Sequence, residues 1–211
     1  MQFTSEDIKL LDGRFRRNLI NSLHGAKSIG LVATIDSNGL SNLAIFSQIF
    51  HIGANPPLIG MLVRPDSVDR HTLHNIQSQG TYTIQHIKES YYKKAHQTSA
   101  RYPKEVSEFQ ELGLNEAYIG DFPAPFLEDA ELKIGLKLRS TQTLQENGTV
   151  LVIGEVVLID VANGALSADG FIDPQILGTI AGGGLDAYYK LEKLSRLNYA
   201  KPNLPAQELS E

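Results

Sequence analysis

The sequence contains no cysteine. Disulfides, thiolate zinc sites, iron–sulfur clusters and a cysteine nucleophile are therefore all excluded. Positive charge is also scarce: the 211 residues carry a formal net charge of −5, against the basic face a general nucleic-acid binder needs. A local basic pocket for one small anion is still compatible with that balance. No apolar run is long enough to span a bilayer. The first residues, "MQFTSEDIKLLDGRFRRN", have no apolar core of a signal peptide, so a cytoplasmic location away from membranes is expected. There is no H-E-x-x-H and no G-x-S-x-G, which leaves zincin and hydrolase chemistry without a basis. His71 and His74 could share a helix face, but no carboxylate or third ligand joins them, so no metal site is assigned.

What is present is a core. Hydrophobic residues make up 42% of the chain and charged residues 20%, enough for one domain over residues 1–211. Two helical patterns open the chain over about 4–24: "TSEDIKLLD", capped at its start, and "RFRRNLINSLHG", with Phe15, Leu19, Ile20 and Leu23 on one face. The period then changes. "SIGLVATID" reads as a strand, "DSNG" as a tight turn, and "LSNLAIFSQIFHI" as one second strand. "LIGMLVR" is a short buried strand, and a helix N-capped by Ser67 follows and ends near Gly80 before the strand "TYTIQHI".

The segment from about 88 to 121 is polar, tyrosine-rich, and helical or turn-like; an insertion of that length usually covers a site or meets a partner. Asn147-Gly148 then marks a hairpin between two long strands, the first alternating Leu132, Ile134, Leu136 and Leu138 with charges. The second, "TVLVIGEVVLIDVA", is apolar on both faces, which predicts a covered outer face and hence a homodimer. A helical tail is expected over about 175–211. "AGGGLDAYY" fails as a dinucleotide loop, because Ala187 stands where the third glycine should be and no βαβ unit surrounds it. Strands joined by hairpins with helices inserted singly argue for a mainly β, antiparallel barrel.

The stretch "RPDSVDRHTLHN" gathers Arg64, Ser67, Arg70, His71 and Thr72 at a strand-to-helix joint. Helix N-termini offer free N–H groups and the positive end of a dipole, so hydroxyls and guanidiniums there make a seat for a phosphate.

Taken in order, "GLVATIDSNGLSNLAIFSQIFHIGANPPLIGMLV", "DRHTLHNI", "GTYTIQHI", "AHQTSARYPKEVSEF" and "VLVIGEVV" resemble the flavin reductase-like family of FMN-binding split barrels, in the branch that includes flavoredoxin. The resemblance covers roughly residues 25–195. It implies a homodimer of six-stranded Greek-key split barrels with one FMN per subunit near the interface. It also implies an NAD(P)H-dependent flavin reductase, in which hydride passes from the nicotinamide to flavin N5; the alternative is an electron carrier or sensor without turnover. A partner monooxygenase or another electron acceptor would take the product. By the same resemblance, Phe46, Ser47, Gln48, Ile49 and Val63 would line the flavin ring. Arg64, Ser67, Arg70, His71 and Thr72 would hold its phosphate, and His96, Ser99 and Tyr188 would close over it. The cofactor does the chemistry, so no catalytic side chain is assigned. Two positions depart from the family: "HGAKSIGL" replaces an Arg-Pro at the start of the first barrel strand, and His71 replaces an Asp.

Overall fold

The computed structural model describes residues 1–65 and 69–209. Thr4 caps helix α1 (Ser5–Leu10) through a capping box with Asp7, and Asp12 caps α2 (Gly13–Ser22) by accepting from the N–H groups of Arg14 and Phe15. The chain then runs through β1 (Ala26–Lys27), β2 (Gly30–Ile35), β3 (Ser41–Phe46), β4 (Ile49–Ala54) and β5 (Pro57–Val63). Helix α3 (His71–Gln79) and β6 (Thr81–His86) follow, then α4 (Tyr92–Gln97), α5 (Glu108–Glu111), β7 (Glu116–Ala117) and β8 (Phe126–Leu127). The long pair β9 (Leu132–Thr143) and β10 (Val150–Val161) and the hairpin β11 (Ile180–Gly183) and β12 (Ala187–Lys190) complete the order. Among the described residues no helix is long and apolar enough to cross a membrane.

The main sheet is antiparallel and seven-stranded, in the order β3-β2-β6-β9-β10-β5-β4. Six strands were expected, and the difference lies in "LSNLAIFSQIFHI". The run is two strands, because the chain bends at Ser47–Gln48 and crosses from one edge of the sheet to the other. The edge strands β3 and β4 form no ladder with each other, so the sheet curls without closing. The bond from the Leu62 N–H to the Gln48 carbonyl, at 3.0 Å, carries the β4–β5 pairing one residue back into the bend. A second expectation also fails. Residues 175–211 were read as helical, but within 175–209 the chain forms the β11–β12 hairpin and then an extended tail. Pairing of Ala187–Lys190 with Ile180–Gly183 satisfies backbone groups there, and β1 extends that small sheet through Lys27↔Gly182.

Alternation along the strands builds two large cores, beside a smaller one around Leu132, Ala165 and Leu177. Val32, Met61, Val63, Tyr82, Ile84, Leu136 and Val152 fill the curled sheet, closed at one end by Leu73 and Ile76 of α3. On the other face of β2 and β3, Leu31, Ala33 and Leu43 pack against Tyr91, Ala95, Phe109 and Leu114 of the 88–121 segment. That segment is thus core cover, with only short helices. It also seals the sheet edge. The Leu43 N–H, which points away from the ladder, donates to the buried Glu108 carboxylate at 2.9 Å, and Ser107 hydrogen-bonds Ser41 at 2.7 Å.

Burial pushes the Glu108 pKa up, against the lowering effects of the Leu43 N–H and the positive charge of His71. A raised carboxyl pKa means that the folded state favours the neutral acid. Its contribution is complete below the unfolded value near about 4.3 and is lost as pH rises through the folded value. Glu108→Gln keeps an acceptor for Leu43 without a buried charge. We expect it to match or exceed the parent's stability at pH 7, with that advantage shrinking toward pH 4. Glu108→Ala strands the Leu43 N–H and should cost about 1–3 kcal/mol. Urea melts of both variants across that range check the sign, and a Gln variant as unstable as the Ala variant would refute it.

Candidate functional site

The β3–β4 bend places Phe46, Ser47, Gln48 and Ile49 beside the end of β5. All four are half-buried, Ile49 pairs with Met61, and Phe46 and Ile49 pack on the barrel core next to the buried Val63. This corner is apolar on its floor and polar at Ser47 and Gln48. Arg64 follows immediately and is exposed. Ser67 lies outside the described residues.

Helix α3 begins at His71, with Arg70 in the cap position, and the Arg70 side chain makes no cap bond to the first-turn N–H groups. The Arg70 Nε instead reaches back to the Pro65 carbonyl at 3.4 Å, which brings the helix start to the residues following β5. The helix is pinned by a pair of residues three apart on its inner face. Asn42 Nδ2 donates to Thr72 Oγ1 at 3.0 Å, and Asn75 Nδ2 donates to Thr34 Oγ1 at 3.1 Å. Thr72 and Asn75, three apart in "TLHN", therefore tie α3 to β3 and β2 together. Thr72 is buried, and since its oxygen already accepts from Asn42, its own hydrogen is left to donate elsewhere. His71 is near enough to the buried Glu108 for its electrostatic effect to favour the carboxylate.

One residue that sequence reasoning missed is Lys27. Its ammonium is held below the usual lysine range by partial burial and by the nearby Arg64 guanidinium. Neither cation has a carboxylate partner among the described residues. The only signal in the sequence was the departure at "HGAKSIGL", which puts a lone lysine at the start of the first strand.

His96, on α4, and Tyr188, on β12, meet directly. Tyr188 Oη and His96 Nδ1 are 2.7 Å apart, with the rings edge-on at 5.8 Å, and Tyr92 packs against Tyr188 at 5.3 Å. Burial, with lesser contributions from Asp186 and Tyr92, raises the Tyr188 pKa, so the phenol stays protonated at neutral pH. Ser99 is exposed one turn further on, its N–H bonded to the His96 carbonyl. Tyr188 and Lys27 both pair with Gly182, so they flank one position on the same face of the small sheet, where the Ile29 side chain packs over the glycine.

Residues 24–177 match the flavin reductase like domain. The chain belongs to the flavin reductase-like family. Among solved structures, a split-barrel protein from Shewanella frigidimarina, to which flavin reductase activity is provisionally ascribed, is 50% identical, with a TM-score of 0.92 over 95% of this chain and 100% of that one. Nitrilotriacetate monooxygenase component B from Bacillus cereus shares the fold at 22% identity and a TM-score of 0.81, covering 92% and 96% of the two chains. Flavoredoxin of Desulfovibrio vulgaris does so at 21% identity and a TM-score of 0.70, covering 85% and 92%. The fold is thus the split barrel, mainly β with some helices, and the family makes this a flavin-related oxidoreductase.

The residues present fit a flavin mononucleotide. A phosphate dianion needs charge-assisted donors. The first turn of α3, the Arg70 beside it, Arg64 and Lys27, which pair with no carboxylate among the described residues, and the Thr72 hydroxyl supply them. A ring system needs an apolar floor with polar groups at its rim, and the Phe46–Ile49 corner with Val63 offers both.

Proposed function

We propose that the protein holds FMN at this corner and acts as an NAD(P)H-dependent flavin reductase. The observation that carries the proposal is a helix N-terminus whose cap residue Arg70 makes no side-chain cap bond, set among cations that pair with no carboxylate of the described residues. In this reading Arg64, Lys27, Arg70, Thr72 and the first-turn N–H groups hold the phosphate. Ser67 and His71 belong to the same joint. Phe46, Ser47, Gln48, Ile49 and Val63 seat the ring. His96, Ser99 and Tyr188 border the opening, with Tyr188 held by His96 so that its side chain is fixed before a substrate arrives. FMN supplies the hydride-accepting chemistry when bound; the chain orients it and needs no nucleophile or general base.

The protein works as a homodimer in this reading, with the flavin near the subunit boundary. Phe50 and Ile52 of β4 and Val157 and Ile159 of β10 all expose large apolar side chains in one protomer. Phe50 lies flat across the sheet because Gly60 has no side chain: a Cβ there would stand 2.5 Å from the Phe50 ring. The reduced flavin would pass to a cytoplasmic partner such as a monooxygenase.

Anaerobic addition of NADH, then NADPH, to the FMN-loaded protein tests the activity. Bleaching of the flavin absorption within seconds by one of them is the expected result. Stable FMN binding with no bleaching by either nucleotide would leave an electron carrier and refute the reductase.

A further inference from the structure

Both ends of the chain carry apolar side chains that the protomer itself leaves in water. Helices α1 and α2 bury no residue at all. The apolar side of α2 leaves Phe15 51% and Leu23 67% exposed, and Phe15 touches only Phe3 among the aromatic rings. At the other end, Leu194 is 96% and Tyr199 92% exposed. The tail that carries them is nonetheless held. Lys193 pairs with the buried Asp173 at 2.9 Å, Arg196 with Asp169 at 2.6 Å, and the Arg196 guanidinium stands 4.2 Å over the Phe171 ring. A loose end would not make these contacts; a tail fixed with its leucines outward presents a surface.

The scale of that surface can be judged from the whole protomer. It exposes 13,041 Å² at 23.2 kDa, whereas a compact monomer of that mass exposes about 9,700 Å². The excess is roughly 3,300 Å² per protomer, or about 6,600 Å² for a pair, enough to supply the whole of an obligate interface, which removes about 2,000–5,000 Å² or more from the two partners together. Charge narrows the choice of partner. Gly13–Ser22 contains Arg14, Arg16 and Arg17 and no acid, within a chain whose net charge is −5. A second copy, itself net acidic at −5, suits this basic helix in overall charge.

We propose that α2, led by α1, and the C-terminal tail are arms that grip a second copy of this chain. The inference rests on the homodimer reading above and names what holds that dimer together beyond the apolar sheet face. Arm and site are connected: α2 runs through Leu23–Gly25 into β1, whose Lys27 pairs with the Gly182 that also faces Tyr188. A gripped arm therefore fixes the strand that borders the flavin corner.

The test is sedimentation equilibrium on full-length chains from nanomolar to micromolar concentration. One variant combines Phe15→Ser, Ile20→Ser and Leu23→Ser. A second combines Leu194→Ser with Tyr199→Ser, and a third, Arg14→Glu with Arg17→Glu, leaves the apolar positions intact. The parent should be dimeric at low micromolar concentration. The first variant should dissociate at least a hundredfold more readily and the others at least tenfold, with far-UV circular dichroism unchanged. A parent dimer matched by equally tight variant dimers overturns the arms and leaves the dimer standing. A monomeric parent overturns both. Binding of the parent to anionic phosphatidylserine vesicles, lost in the first variant, would make α2 a membrane contact and overturn the proposal.

Discussion

Replacing Gly154 with alanine is expected to destabilise the protein by about 1–3 kcal/mol or more, the usual cost of overpacking a filled core. A Cβ built at Gly154 would stand 2.2 Å from the Tyr82 Oη, 2.9 Å from its Cζ and 3.1 Å from Leu136 Cδ2. Tyr82 cannot retreat, because it is fully buried within the curled sheet. Its hydroxyl has no hydrogen-bond partner among the described residues, and burial drives its pKa far upward. A buried phenol without a partner is itself a cost. Tyr82→Phe should therefore be neutral or mildly stabilising in the parent and should recover part of the loss in Gly154→Ala. For a chain of this size each kcal/mol moves Tm by roughly 2–4 °C, so calorimetry on the four proteins of the cycle reads the coupling directly. Strict additivity would show that Tyr82 and Gly154 do not compete for one space.

The second large effect concerns affinity. Thr72→Val removes a hydroxyl hydrogen that no acceptor among the described residues takes, and it leaves Asn42 Nδ2 without its acceptor. Loss of a hydrogen bond to a charged phosphate costs about 1.5–3 kcal/mol, which is roughly a tenfold to hundredfold loss of FMN affinity. Thr72→Ser restores both bonds and should restore binding. Riboflavin carries no phosphate, so its affinity should change little in either variant. A valine variant that binds FMN as tightly as the parent while melting lower would reduce Thr72 to a helix pin.

The parts of this fold that were legible in the sequence are those set by local rules. Thr4 and Asp12 cap where capping chemistry places them, Gly80 ends α3 in the left-handed conformation, and Gly148 turns the β9–β10 hairpin. The misreadings share a different cause. Nothing in "LSNLAIFSQIFHI" breaks a strand, because Ser47 and Gln48 carry no turn signal; the bend is imposed by β4 pairing with β5 at the far edge of the sheet. "AYYKLEKLSRL" has fair helix formers, yet pairing with the glycine-rich β11 and the ties of Lys193 and Arg196 hold it extended. Ser67 is a good cap by type, and α3 starts at His71 all the same. At the site, the phosphate joint could be read from residue types clustered along the chain. Lys27, Asn42 and the clasp of Glu108 on Leu43 could not, since each depends on a neighbour far away in sequence.

The seat for a single terminal phosphate is the central claim, and equilibrium titration of the apoprotein with FMN, riboflavin and FAD at one ionic strength tests it most directly. Quenching of flavin fluorescence gives the three dissociation constants. FMN should bind at least tenfold more tightly than riboflavin and more tightly than FAD, because only FMN offers a dianion to the first turn of α3 and the cations around it. The preference over riboflavin should shrink as salt is raised. Riboflavin binding as tightly as FMN, at low and high salt alike, would contradict the seat and the assignment of the residues around it.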